Sequence, residues 1–270
     1  MLTAARIRER LGISSVLMSG TQPFGAREIA TIREAGLTRI EICGLHPPTH
    51  YDYHDARQVS EITAECRTQG VSIVGAHGPG LPYDCQYEEV RRAVVREAVA
   101  SARVAEEMGA TVFVGHFNTN EHSERTVLEM LHDLDGGSIK LAVENGKDLH
   151  VFADFVDRIG SDRFGMVVDI GHTRDVDDIN PFVDSGRARE TMAYCARRLF
   201  HLHLHDFVDG DHYPPFDGSI QWGEIFLALQ EIEYAGEYMF EPVARISIED
   251  TLKKTAAFPD EFVARYGKGV

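Results

Sequence analysis

Short apolar runs rich in Val, Ile and Phe alternate along the chain with longer stretches of helical period. Runs at 13–18, 38–42, 71–77, 111–116, 140–144, 164–169, 200–205 and 238–241 read as strands, since β-branched and aromatic residues suit a pleated, buried surface. Segments 26–35, 55–69, 88–108, 123–134, 148–158, 187–198, 222–232 and 248–266 carry helical spacing. Asp148 and Ser123 stand where N-caps are needed, and Gly36, Gly70, Gly109 and Gly160 follow helix ends. The joints "AGLTRIEI", "QGVSIVGA" and "MGATVFVG" repeat one grammar of small residue, turn and strand. Eight strands alternating with eight helices predict a (β/α)8 barrel of the TIM type. A doubly wound open sheet is the rival, but "LMSGTQPFG" after the first strand lacks the G-x-G-x-x-G turn. No linker or composition break divides the chain, so residues 1–270 are expected to form a single domain.

What ends these strands changes the picture. The third run ends at His77, the fourth at His116, the fifth at Glu144, the sixth at Asp169 and the eighth at Glu241. The seventh carries His201, His203 and His205 on one face, with Phe200, Leu202 and Leu204 on the other. In a barrel the polar face looks inward, so all these groups would share one mouth. The longest irregular stretches, 44–54 and 207–219, would sit at that mouth. A histidine at a strand end is as often structural as functional: His77 and His116 stand on that divide, His201 is expected to pack, and His205 to line the rim. Three carboxylates buried together are different, because unpaired buried charge is costly. One divalent cation held by Glu144, Asp169, Glu241 and His203 answers that cost. Glu41 reads instead as a structural acid that Arg39, two positions earlier, could pair. Mixed oxygen and nitrogen donors suit Mn2+, Co2+, Mg2+ or Zn2+. Glu144 and Glu241 come from well-separated strands and could work on opposite faces of a sugar carbon, one removing a proton and the other returning it through a metal-stabilised enediolate.

Charge and cysteine usage narrow the partners. Lys and Arg total 27 against 43 Asp and Glu, a net charge of -16. Such a surface repels phosphate backbones and anionic lipid, so neither nucleic acid nor membrane is expected as a partner. The four cysteines form no C-x-x-C pair, and the amphipathic N-terminus "MLTAARIRERLG" is no secretory signal. Cytoplasmic residence is the simplest expectation.

At these residues the chain resembles the xylose isomerase-like TIM barrel superfamily, specifically its sugar phosphate isomerase/epimerase-like members, which are related to zinc-dependent apurinic endonucleases. The matching pieces are Glu144 in "LAVENG", Asp169-x-x-His172, His203-x-x-Asp206 followed by "FDGSIQWGEI", and Glu241. The resemblance implies one metal on Glu144, Asp169, His203 and Glu241, with the two glutamates as acid and base. It places His172 on a substrate oxygen near the carbonyl. His77, His116 and His212 become substrate-binding candidates; in the endonucleases the corresponding histidines hold further zinc ions. Trp222 is either a sugar-stacking platform or a core anchor at a helix start. Two departures stand out: Asp209 replaces the Arg that ketohexose 3-epimerases carry, and His150 stands where a Glu is expected. The expected activity is a sugar or sugar phosphate isomerase or epimerase, with a small sugar as partner and a homo-oligomer allowed. Metal-dependent dehydratase or lyase chemistry on a keto-sugar or cyclic polyol is the alternative. An apurinic-endonuclease-type phosphodiesterase is a further one, although the mouth loops lack Lys and Arg.

Overall fold

A computed structural model describes residues 2–19, 23–44, 50–175, 177–183 and 186–267; part of the loop after the second strand, 45–49, lies outside them. Eight parallel strands close into a barrel in chain order: β1 Leu11–Ser14, β2 Arg39–Cys43, β3 Ser72–His77, β4 Val112–Gly115, β5 Lys140–Glu144, β6 Phe164–Asp169, β7 Leu199–Leu204 and β8 Tyr238–Phe240. The helices between and around them are α1 Ala4–Arg8, α2 Ala26–Glu34, α3 Ala56–Gln69, α4 Glu88–Met108, α5 Glu121–Asp133, α6 Leu149–Ile159, α7 Ala188–Cys195, α8 Trp222–Glu231 and α9 Ile248–Tyr266.

The local signals hold where side chains cap backbone directly. Asp148 accepts from His150 N, and Gly70, Gly109 and Gly160 take the left-handed conformation that ends α3, α4 and α6. Several boundaries differ from expectation by a residue or more, and three of the differences have a visible cause or consequence. Asn120 rather than Ser123 caps α5, because its Oδ1 accepts from both His122 N and Ser123 N at 3.0 Å. The first strand lies two residues earlier, and Ser15–Met18 form a 3-10 turn instead. There Ser14 Oγ accepts from Val16 N, and Ser15 Oγ accepts from Cys43 N at 2.8 Å, so two hydroxyls take the place of ladder partners. The N-terminus forms the short helix α1, tied to α9 by Arg8 and Asp260.

Strand phase matters more for the site. In β7 the register skips Phe200, pairing Met166 with Leu199 and Val167 with His201. That bulge turns Phe200 away from the outer face expected for it and into the barrel. Its ring lies where a side chain at Gly165 would stand, packed against Val112, Val114, Ala142 and Val167. A second bulge skips Val74 in β3 and sets Gly75 opposite Glu41. The barrel interior is therefore apolar at its lower end and charged above it.

The larger core lies between sheet and helices. Trp222 belongs to it: the indole is 1% exposed, packs on Phe240 and Phe258, and donates from Nε1 to Asp206 Oδ2 at 3.1 Å. No ring face is left for a sugar, so the stacking alternative gives way to the core anchor. Among the described residues no helix is long and apolar enough to cross a membrane.

Candidate active site

Four strand ends converge at the C-terminal mouth. Glu144 ends β5, Asp169 ends β6, His203 faces inward from β7, and Glu241 follows β8; all four are buried. One ligand atom from each lies within 4.8 Å of those from the other three. His203 Nδ1 stands 3.1 Å from both Glu144 Oε1 and Glu241 Oε2. Glutamates on two different strands thus meet at one imidazole nitrogen.

Each acid is anchored on its other side. Glu144 Oε2 faces His77 Nε2 at 3.1 Å and His116 Nε2 at 2.7 Å. Glu241 Oε1 accepts from Ser14 Oγ at 3.4 Å. Asp169 Oδ1 accepts from Gly171 N and His172 N at 2.9 and 2.8 Å, a tight turn following the strand. Asn145 ties the ends of β5 and β6 together, accepting from Asp169 N at 2.7 Å and donating to Thr173 Oγ1.

His205, expected at the rim, is fully buried and braces Asp169. Its Nδ1 accepts from His212 N at 2.7 Å, so the ring proton sits on Nε2, which reaches Asp169 Oδ1 and Oδ2 at 2.9 and 3.0 Å. Gly171 allows this approach, for a Cβ there would overlap the His205 ring. His212 takes a positive φ of 58°, stacks on His205, and hydrogen-bonds Glu241 O through Nδ1 at 2.6 Å. His172 leans over the group, with Nδ1 3.6 Å from Glu144 and from Asp169, and Nε2 3.2 Å from His212 Nε2 and 3.4 Å from Asp211. Its side chain is 29% exposed and that of His116 is 52% exposed, so these two rings reach solvent above the buried set.

Below the mouth Glu41 is fully buried, and it is not paired with Arg39. That guanidinium turns out of the barrel to Glu9 O and Glu237. Glu41 instead faces His203 Nε2 at 3.2–3.3 Å and His201 Nε2 at 3.0 Å. By sequence alone Glu41 reads as a structural acid, His201 as packing and His205 as rim, and Asn145 is passed over; the one hint of Glu41's place is a lone acid inside the apolar strand "RIEIC".

The electrostatics follow from this crowding. Burial opposes charge on Glu144, yet His203, His116 and His77 hold its carboxyl well below the usual carboxylate range. Asp169 and Glu41 are likewise held low against burial, by His205 and His172 and by His203 and His201 respectively. The imidazoles respond in kind: burial disfavours their charge, but Glu144 pushes His77 up to about 9, and Glu241, Glu41 and Glu144 raise His203 well above its ordinary value. Among the described residues, the partners of these acids are imidazoles, a hydroxyl and backbone N–H groups rather than Lys or Arg. Three carboxylates and an imidazole nitrogen converging this closely are a donor set that fits one divalent cation.

The profile of the xylose isomerase-like TIM barrel family matches residues 29–261. The chain belongs to that family. Within it, a D-psicose 3-epimerase from Enterocloster bolteae is 32% identical over 89 residues, a stretch covering 33% of this chain and 26% of that protein. The matched stretch therefore spans about a quarter of that relative. The solved D-psicose 3-epimerase from Clostridium cellulolyticum H10 superposes with a TM-score of 0.73 at 16% identity, over 94% of this chain and 98% of that one. A 3-keto-D-glucoside 4-epimerase from E. coli superposes at 0.71 with 14% identity, over 93% and 99%. Asp209 accepts from the Tyr213 hydroxyl at 2.7 Å, and His150 packs edge-on against Tyr194.

Proposed function

We propose that this family member is a divalent-metal-dependent epimerase or isomerase of a sugar or sugar derivative, acting by proton transfer. The observation that carries it is the convergence of Glu144 and Glu241, from strands three apart around the ring, on the same His203 nitrogen. The named epimerases among its relatives and structural neighbours support the same reading. Glu144, Asp169, His203 and Glu241 would hold the metal. When bound, it supplies a Lewis acid that makes the carbon beside a carbonyl more acidic. One glutamate then removes that carbon's proton and the other returns one, the two carboxylates facing the carbon from opposite sides. His172, at the solvent edge, would hold a substrate oxygen, with His77, His116 and His212 completing the polar wall. Asp209 stands at the sequence position where ketohexose 3-epimerases carry an Arg, which points away from ketohexoses themselves, and the guanidinium beside it, Arg245, lies over the Tyr213 ring.

The direct test is isotopic. A keto-sugar substrate incubated with enzyme in D2O is expected to acquire deuterium at the carbon next to its carbonyl, as read by NMR. Turnover without any solvent deuterium would replace proton transfer by a hydride shift.

Metal uptake should be linked to proton release. Glu241, Glu41 and Glu144 crowd His203 and raise its pKa well above the ordinary value, so a cation on Nδ1 competes with a proton there. Affinity for Mn2+ is therefore expected to rise with pH. Calorimetry in two buffers of different ionisation enthalpy measures the released proton. A dissociation constant independent of pH would remove His203 from the ligand set.

One observation favours a second reading. His77 and His116 both contact Glu144 Oε2, and His172 and His212 meet above Asp169, so the clusters His77–His116–Glu144 and Asp169–His172–His205–His212 lie beside the first. Such flanking clusters suit a multi-zinc phosphodiesterase of the endonuclease type. Metal analysis separates the two: about one equivalent supports the epimerase, and three support the phosphodiesterase.

A further inference from the structure

We infer that Glu41, braced by His201, is a positioning residue that fixes the ring of His203 so that its Nδ1, and not its Nε2 or a ring carbon, faces the metal-binding carboxylates. The inference rests on His203 being a metal ligand, as proposed above.

The geometry is that of a ring clamped at both ends. Nδ1 of His203 points up to Glu144 and Glu241, and Nε2 points down to Glu41 across the barrel. With Glu41 accepting the Nε2 proton, Nδ1 is the nitrogen that a cation takes once the proton there leaves. Metal-bound histidines commonly donate their other N–H in this way, which sets both tautomer and ring orientation. Without that acceptor, a half-turn of the ring would put carbon where Nδ1 now stands. Glu41 comes from β2 and His203 from β7, so their contact exists only because the barrel closes.

His201 fixes the carboxylate in turn. Its Nε2 is 3.0 Å from Glu41 Oε2 although off the line of a hydrogen bond, and its ring stands edge-on to His203 at 5.6 Å. The adjacent strand, β3, is cut back to make room. A Cβ at Gly75 would lie 3.1 Å from Glu41 Oε2 and 3.6 Å from His201 Cε1. The bulge at Val74 is what brings that glycine level with Glu41. Glu41 is fully buried below the mouth and in contact with His203, so its influence runs through that ring.

The test reads metal binding rather than turnover. Glu41→Gln keeps the shape of the side chain and removes its charge and one acceptor. Its affinity for Zn2+, measured by chelator competition, is expected to fall about 10- to 100-fold, the usual effect of losing such a partner. Nitrogen-15 NMR of the zinc-loaded native protein should show His203 metallated at Nδ1 and protonated at Nε2, with a weakened or mixed pattern in Glu41→Gln. His201→Gln should show a smaller loss, and the double variant should lose less than the two single losses combined. Should Glu41→Gln fold poorly, Gly75→Ala crowds the same carboxylate without removing a polar group, and is expected to weaken zinc as well. Native affinity and an unchanged His203 spectrum in a folded Glu41→Gln, or in Gly75→Ala in its place, would overturn the inference. His203→Ala distinguishes the two levels: if it binds zinc as the native protein does, the ligand assignment itself fails rather than the role of Glu41.

Discussion

Glu144→Gln and Glu241→Gln, each reloaded with metal to confirmed full occupancy, are expected to turn over at least about 100-fold more slowly than the native protein, the usual loss of a general acid or base. That is roughly 2.7 kcal/mol of barrier. The amide can neither accept the substrate proton nor return one, and it is also a poorer ligand, so occupancy must be restored before rates are compared. Each glutamate has one oxygen held by neighbours, His77 and His116 for Glu144 and Ser14 for Glu241, and the other turned to the common centre. An anchored carboxylate is pre-positioned, and the substitution removes its chemistry more than its place. His172→Asn serves as the contrast, expected to keep its metal and to lose mainly substrate affinity. If both metal-loaded glutamine variants work at the native rate, the glutamates are ligands only, and hydride transfer or hydrolysis becomes the better account.

Stripping the metal is expected to abolish activity and to lower thermal stability, both restored by adding back a divalent ion. Glu41, Glu144, Asp169 and Glu241 are buried close together, and without a cation their charge is offset by imidazolium protons, helped by Ser14 and backbone N–H groups. Those protons set the pH dependence. The folded pKa of His77 lies near 9, above its unfolded value, and that of His203 is also raised. Their stabilisation is complete below about pH 6.5 and fades as pH rises through the folded values. Metal-free protein should therefore lose stability between pH 7 and 9, while metal-loaded protein should not. At about 1,000 times the dissociation constant, a bound ion contributes about 4 kcal/mol, or roughly 8–16 °C in Tm for a chain of this size. Calorimetric scans with EDTA and with Mn2+ at pH 7 and 9 measure this directly. Full activity in rigorously metal-free protein would end the mechanism.

Much of this protein can be read from local pattern, and the reason is that side-chain facing along a strand is a local property. Period-two alternation placed Glu144, Asp169 and His203 on inward faces at strand ends, Glu241 follows the last strand, and caps such as Asp148 and Gly70 act within a few residues of themselves. Their order and spacing carried both the barrel and the four candidate ligands. What alternation cannot encode is which inward residues meet, because that depends on barrel closure and on where a strand slips by one residue. The bulge at Phe200 sends a ring predicted to face the helices into the barrel floor, and the bulge at Val74 clears space for Glu41. Arg39, only two positions from Glu41, reaches out past the end of the barrel to Glu237, while His203, 162 positions away, becomes its partner. Asp206 likewise claims the Trp222 indole from across a loop and makes it core. The sequence by itself determined the strand-end chemistry; the tertiary structure alone decided its supporting contacts, since those are distances between strands far apart in the chain.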